Sequence, residues 1–331
     1  MLISIVLDPK SFDRTLFAAP GYRDQAEILF RGLESNGLML ADSQSRLLDE
    51  LDEQLSKLNT KDGQQLQIRF AELRKRPGHR LIVVDSSVCD TQHCASTHTV
   101  ACTVRSKCSG DSVIVDEPTF NAFQARNIPC HTFTPLSRYI SSKLELDRRR
   151  FMEQLPSIDQ MAPGEFDALI VRSLRFTKTL RFYDKQIAKG DSLGRFRDGI
   201  ERILDLWSGT AHYPRSTLKA ELYTCVQKTH DPEPIVHQRV LDRITHPLAA
   251  KFTMPFTLYW KEDSARLSHD RHLQTDNVAI YFSKGFDFIE GGALQRCRIQ
   301  LDNGAETHLT EYRNLKDFRP PARFSTSRIF Q

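Results

Sequence analysis

No run of apolar residues in this 331-residue chain approaches the ~20 that a membrane-crossing helix needs, which excludes a spanning segment. The amino-terminal stretch Met1 to Leu7 is apolar for only seven residues before Asp8, too short for a secretory core with a cleavage site. A cytoplasmic protein is expected. No internal repeat or low-complexity tract is evident. A large charge excess is also missing: the net charge of +4 is too small to announce a polyanion partner by itself. The seven cysteines are an odd number without a secretory leader, so reduced thiols are expected rather than a disulfide framework.

What is present is ordinary in composition, with 40% hydrophobic and 27% charged residues, and long enough for two domains. Four cysteines, Cys89, Cys94, Cys102 and Cys108, fall within twenty residues and interleave with His93 and His98. A zinc site would need two tight knuckles, and only Cys89 and Cys94 have that spacing. Small buried thiols are the competing reading.

The first half alternates strand-like and helix-like stretches. Leu2 to Leu7, Arg80 to Val84 and Asp111 to Val115 read as buried strands, the first and last followed directly by Asp8 and Asp116. Helical spacing covers Tyr22 to Leu33, Ser43 to Leu58, His98 to Arg105, Glu117 to Asn127 and Ser141 to Glu153. Alternation of this kind predicts a parallel sheet. Residues 151–164 hold two prolines and a glycine without apolar periodicity, which places a linker between domains at 1–150 and 165–331. The second half predicts a helix from Glu165 to Phe176, a strand from Thr179 to Tyr183, a helix from Leu193 to Trp207 and a strand from Ala220 to Val226. A helix from Glu233 to Ile244 and strands at 252–260 and 277–283 follow, and a tail hairpin is expected to turn at Asp302-Asn303-Gly304.

Between Arg172 and Arg202 nine basic residues face four acidic ones, and Arg172, Arg175, Lys178, Arg181 and Lys185 open that strip. A strip of this kind suits nucleic acid, and equally a solvated helix face.

Between the last two predicted strands lies His269-Asp270-Arg271-His272-Leu273-Gln274-Thr275-Asp276. On an extended strand residues i and i+2 share a face, so His269 and Arg271 would point the same way and meet one phosphate. With Ser283-Lys284-Gly285-Phe286-Asp287 just beyond, this octet resembles the H-x-K-x4-D signature of phospholipase-D-like domains, with arginine in place of lysine. The resemblance covers about residues 166–318. It implies His269 as nucleophile on phosphorus, Arg271 as phosphate clamp and Asp276 as supporting carboxylate, with no metal needed. One copy of the motif implies a second acid from a partner subunit in a homodimer or larger complex, or from another histidine.

Residues 1–140 resemble a PIN-like nuclease domain. Asp8 and Asp116 at strand ends and Glu50 on the helix from Ser43 are similar to that family's metal-binding acids, which implies Mg2+ or Mn2+ activating a water. His98 stands where the family opens a helix with aspartate. The fold expectation is therefore α/β, a PIN-like parallel-sheet domain followed by a phospholipase-D-like mixed-sheet domain. The functional expectation is a nucleic-acid-processing phosphodiesterase or nuclease-derived subunit, by analogy one of prokaryotic defence. The alternative is a non-catalytic module that binds phosphate or nucleic acid within a larger complex.

Overall fold

With no charged residue among them, Ile3–Leu7 form a strand, β1, buried along its whole length in the computed structural model. The structure describes residues 3–58, 60–75, 80–84, 97–126, 133–153, 155–187, 193–226, 233–262, 271–276 and 278–302. The chain divides into two compact units, Met1–Glu153 and Gln154–Gln331.

In the first unit β1 is the middle of a five-stranded sheet. The other strands are β2 (Gly37–Asp42), β3 (Leu81–Val84), β4 (Ser112–Val115) and β5 (Phe133–Pro135), and the order is β3-β2-β1-β4-β5. Every pairing is parallel. Helices supply the crossovers: α1 (Tyr22–Asn36), α2 (Arg46–Ser56), α3 (Lys61–Arg74), α4 (Thr97–Cys108) and α5 (Glu117–Ala125), with α6 (Lys143–Met152) closing the unit. After β1 the chain moves toward β2, and after β4 it moves toward β5. The carboxyl ends of β1 and β4 thus flank a topological switch point, where open α/β sheets bind ligands.

The sequence reading missed β2 and α3. Leu38, Met39, Leu40 and Ala41 favour helix by intrinsic propensity, and it is their position between two parallel strands, buried on both faces, that holds them extended. In α3 the apolar stripe is thin, Leu66, Phe70 and Leu73, within a polar run that starts beside Gly63. Near the end of the unit Glu145 is fully buried. Arg148 Nε and Arg149 Nε donate to it at 2.6 and 2.9 Å, and Arg148 Nη1 donates to Asn36 Oδ1 at 3.3 Å, tying α6 to the end of α1.

The second unit is built on a six-stranded mixed sheet. Its parallel part comprises β6 (Thr179–Tyr183), β7 (Lys219–Val226) and β8 (Phe256–Glu262). The short strands β9 (His272–Gln274) and β10 (Ala279–Phe282) follow in sequence, then a two-stranded ribbon of β11 (Ile289–Glu290) and β12 (Ala293–Leu294), then β13 (Ile299–Asp302). The sheet order is β13-β10-β9-β6-β7-β8, with β9 antiparallel to both β6 and β10. The strand expected at 252–260 starts at Phe256. β13 pairs with β10, and the turn expected after Asp302 lies outside the described residues.

Before the sheet comes α7 (Glu165–Leu174), and between β6 and β7 comes α8 (Leu193–Thr210). Between β7 and β8 run α9 (Glu233–Val240), a π-helical turn (Leu241–Thr245) and α10 (His246–Phe252). Phe196, Ile200, Ile203, Leu204 and Trp207 form the buried stripe of α8, each contributing about 1.5–3 kcal/mol by leaving water. Gly199 lets the helix approach closely, because a Cβ there would lie 1.9 Å from the carbonyl oxygen of Phe286. Of the residues expected as linker, 151–153 end the first unit and 155–164 belong to this one: Ile158 is buried and its N–H donates to the carbonyl of Cys297 at 2.9 Å.

Candidate functional site

The strand-end acids of the first unit act first as caps. Asp8 Oδ1 accepts from the N–H of Lys10 at 3.1 Å, Asp42 Oδ1 accepts from the N–H of Leu47 at 2.9 Å, and Asp116 Oδ1 accepts from the N–H of Thr119 at 2.7 Å. Each carboxylate satisfies a donor at the start of the following helical segment, which has no partner within its own turn. The second oxygen of Asp8 does something further. His98 Nδ1 lies 2.6 Å from Asp8 Oδ2, and His98 Nε2 lies 3.5 Å from the sulfur of Cys102. The hydrogen bond to Asp8, with a smaller one to Cys102, raises the His98 imidazole to about 9 against the opposing effect of burial.

Glu50 is half-buried on α2. Among the described residues no group of three or more histidine, cysteine, aspartate or glutamate side chains is placed to hold a metal ion. Of the acids expected to hold Mg2+ or Mn2+, Asp8 is in contact with the Lys10 N–H through Oδ1 and with His98 through Oδ2. Of the four cysteines weighed for zinc, Cys89 and Cys94 lie outside the described residues; Cys102 is half-buried and Cys108 buried, both as free thiols.

In the second unit, the antiparallel pairing sets Tyr183 opposite His272, so Arg271 arrives at the carboxyl end of β6. There its guanidinium is held on several sides. Nη1 donates to the carbonyl of Ser283 at 2.8 Å, Nη2 donates to Gln186 Oε1 at 2.6 Å, and Nε stands 3.7 Å from Asp184 Oδ1. Asp184 is fully buried. Burial raises its carboxyl to about 6, with the nearby charge of Asp287 adding to the rise, while the Gln186 N–H and the Arg271 charge oppose it. Gly285 closes the corner with φ of +81°; a Cβ there would lie 2.1 Å from Asp184 Oδ2 and 2.8 Å from Arg271 Cδ. Only glycine meets both demands. Lys284, between Ser283 and Gly285, is exposed.

Asp276 does not join this group. Its Oδ2 accepts from the N–H of Lys178 at 2.7 Å, and its Oδ1 lies 3.6 Å from Arg181 Nη1, at the amino end of β6. Arg271 and Asp276 therefore stand at opposite ends of β9, since a strand carries successive residues away from one another. The motif strand is shorter than expected, starting at His272, and His269 lies outside the described residues.

The basic residues expected as a strip differ in exposure and in partners. Arg172 and Arg175 are half-buried at the end of α7, and the ammonium of exposed Lys178 lies 4.5 Å from the centre of the Tyr213 ring. Arg181 is ion-paired with Glu221 at 2.9 Å, and Lys185 is only 3% exposed. Farther along, Arg195, Arg197 and Arg202 pair with Glu290, Asp198 and Asp167. The charges follow a helix end, a strand and a turn in succession.

Sequence reasoning found Asp8, His98 and Arg271 but missed Cys102 as the neighbour of His98, and Asp184 and Gly285 as the frame of Arg271. The i, i+4 spacing of His98 and Cys102 was a legible signal for the first. Nothing local marks Asp184, which is brought to Arg271 by strand pairing. Compared with known proteins, the chain matches no family model and no curated sequence.

Proposed function

We propose that this chain recognises phosphate groups of a nucleic acid through the carboxyl end of β6, and binds them without cleaving. The observation that carries the reading is the separation of Arg271 from Asp276: the cation is pre-organised beside Gln186 and exposed Lys284, while the carboxylate assigned to assist it stays at the far end of the strand. A guanidinium carries five donors in a fixed fork. Among the described residues, one N–H of each terminal nitrogen is committed to Ser283 or Gln186, and the second on each could meet a phosphate oxygen.

The mixed sheet around this corner supports a phospholipase-D-like origin for the second unit, and the parallel sheet with acids at its strand ends supports a PIN-like scaffold for the first. In that scaffold the capped acids and the His98 contact to Asp8 favour binding over metal-assisted hydrolysis. The rival nuclease reading predicts turnover. Fluorescently labelled DNA and RNA oligonucleotides of one sequence, titrated with protein over a range of salt, test both. The proposal expects salt-sensitive binding with the oligonucleotide recovered intact, in buffer with Mg2+ and in buffer with EDTA. Cleavage by wild type in either buffer overturns it, as does an absence of binding.

A further inference from the structure

The pair formed by His98 and Asp8 has a third member that phosphate recognition does not use. On a helix the side chain of each residue leans toward the preceding turn, so Cys102 on α4 is carried over His98, and its sulfur lies 3.5 Å from Nε2. The other ring nitrogen is held by the buried carboxylate of Asp8 at 2.6 Å. A carboxylate accepts only, so it fixes a proton on Nδ1 and leaves Nε2 facing the thiol; because the same bond raises the imidazole to about 9, Nε2 becomes the atom that can take the thiol proton as pH rises toward that value. A nucleophile, a base and a group that orients the base are thus in line, the relation by which such triads are recognised irrespective of fold.

Access and location agree with a reactive role. His98 has a side-chain exposure of 20% and Cys102 is half-buried, whereas Cys108, Cys225 and Cys297 are buried. The trio lies at the carboxyl end of β1, beside the switch point of the parallel sheet. An aromatic wall borders it: the His98 ring lies 4.9 Å from that of Phe123, and Phe123 lies 4.4 Å from Phe133, both phenylalanines being half-buried. A soft sulfur nucleophile next to apolar, partly open rings suits an apolar acyl group.

We infer that Cys102, His98 and Asp8 form a nucleophilic thiol site for acyl transfer, taking a short apolar acyl group from an activated ester or thioester. His98 Nε2 removes the thiol proton as sulfur bonds to the carbonyl carbon. The bond from that carbon to the leaving oxygen or sulfur then breaks, and the leaving group receives the proton from Nε2. The product is an acyl thioester on Cys102, which water hydrolyses to the free acid, with Nε2 taking the proton of the water and returning it to sulfur.

The probe is p-nitrophenyl butyrate on the full chain, read as p-nitrophenolate release and as butyryl mass on mapped cysteine peptides. The site predicts a burst stoichiometric with protein, with the butyryl group on the Cys102 peptide ahead of every other cysteine. The burst disappears in Cys102→Ala and slows at least about tenfold in His98→Gln, with the melting transition of each variant showing that it is folded. The wild-type mapping decides the matter even where a variant fails to fold. Labelling of Cys102 no faster than of the other cysteines overturns the inference, as does a burst that survives Cys102→Ala or is unchanged by His98→Gln. Oligonucleotide binding by the second unit is measured separately, so either result stands without the other.

Discussion

Arg271 and Asp276 belong to one short motif in the sequence and to two different ends of a strand in the fold. Arg271 is anchored to Ser283 and Gln186 at the carboxyl end of β6, and Asp276 accepts from the Lys178 N–H at its amino end. A single motif therefore spans two separate environments, with the phosphate-binding role proposed for Arg271 alone. The same division runs through the other strand-end carboxylates, most of which serve the backbone before any ligand.

Gly285 is the tightest point of the Arg271 corner. Gly285→Ala places a methyl 2.1 Å from Asp184 Oδ2 on a backbone with φ of +81°. The left-handed conformation and the overlap together should lower stability by about 2–5 kcal/mol. Urea unfolding of the variant checks this. A loss below 0.5 kcal/mol, the usual range of a neutral surface change, would show that the corner is loose.

Asp184 gives the second unit a pH signature. Its carboxyl titrates near 6 in the folded chain against 3.8 as the ordinary value, so the folded state holds the proton more tightly. Its contribution to stability is then most favourable below the lower value and declines as pH rises through the upper one, by on the order of 2–3 kcal/mol. Asp184→Asn, which keeps the shape and removes the titration, should gain stability relative to wild type between pH 4 and pH 7. Parallel stability curves with no pH-dependent gap would contradict the assignment.

His98 has a dependence of the same sign in a higher pH window. Its imidazole is raised to about 9 by the hydrogen bond to Asp8, so the stabilisation is complete below about 6.5 and lost as pH rises through 9. With solvent reaching one side of the ring, about 1–2 kcal/mol is the expected size. His98→Gln should be less stable than wild type at pH 6 and close to it at pH 10, by thermal or urea unfolding. A constant difference across that range would mean the ring contributes only packing.

Glu145 tests the closing helix of the first unit. Glu145→Ala leaves Arg148, 15% exposed at its side chain, without its carboxylate partner. Removing one member of a buried pair costs about 3–5 kcal/mol. The double change Glu145→Leu with Arg148→Met should recover part of that loss in urea unfolding; a single variant as stable as wild type would exclude a role for the pair.

How much of this was legible beforehand depended on how locally each feature is encoded. Strands such as Ser112–Val115, with three β-branched residues in a row followed by a capping acid, announce themselves, as does the apolar stripe of α2. Gly37–Asp42 did not, because its leucines and methionine carry helix propensity and only neighbouring strands make them extended. The site divided in the same way. Asp8 and Arg271 were visible by position and motif, whereas Asp184 reaches Arg271 only through the register of β6 against β9. The basic strip was legible as charge density alone; which charges are paired, as Arg181 is with Glu221, depends on strand neighbours far away in sequence.

The central claim is that Arg271 holds phosphate and Asp276 holds the fold. Its most direct test is the oligonucleotide affinity of Arg271→Gln and Asp276→Asn beside wild type, at one salt concentration, with unfolding curves for all three proteins. The account predicts at least a tenfold loss of affinity of the folded fraction in Arg271→Gln, worth about 1.4 kcal/mol of binding. For Asp276→Asn it predicts reduced stability and unchanged affinity of the folded fraction. Equal loss of affinity in both variants would contradict it, and so would unchanged binding in Arg271→Gln.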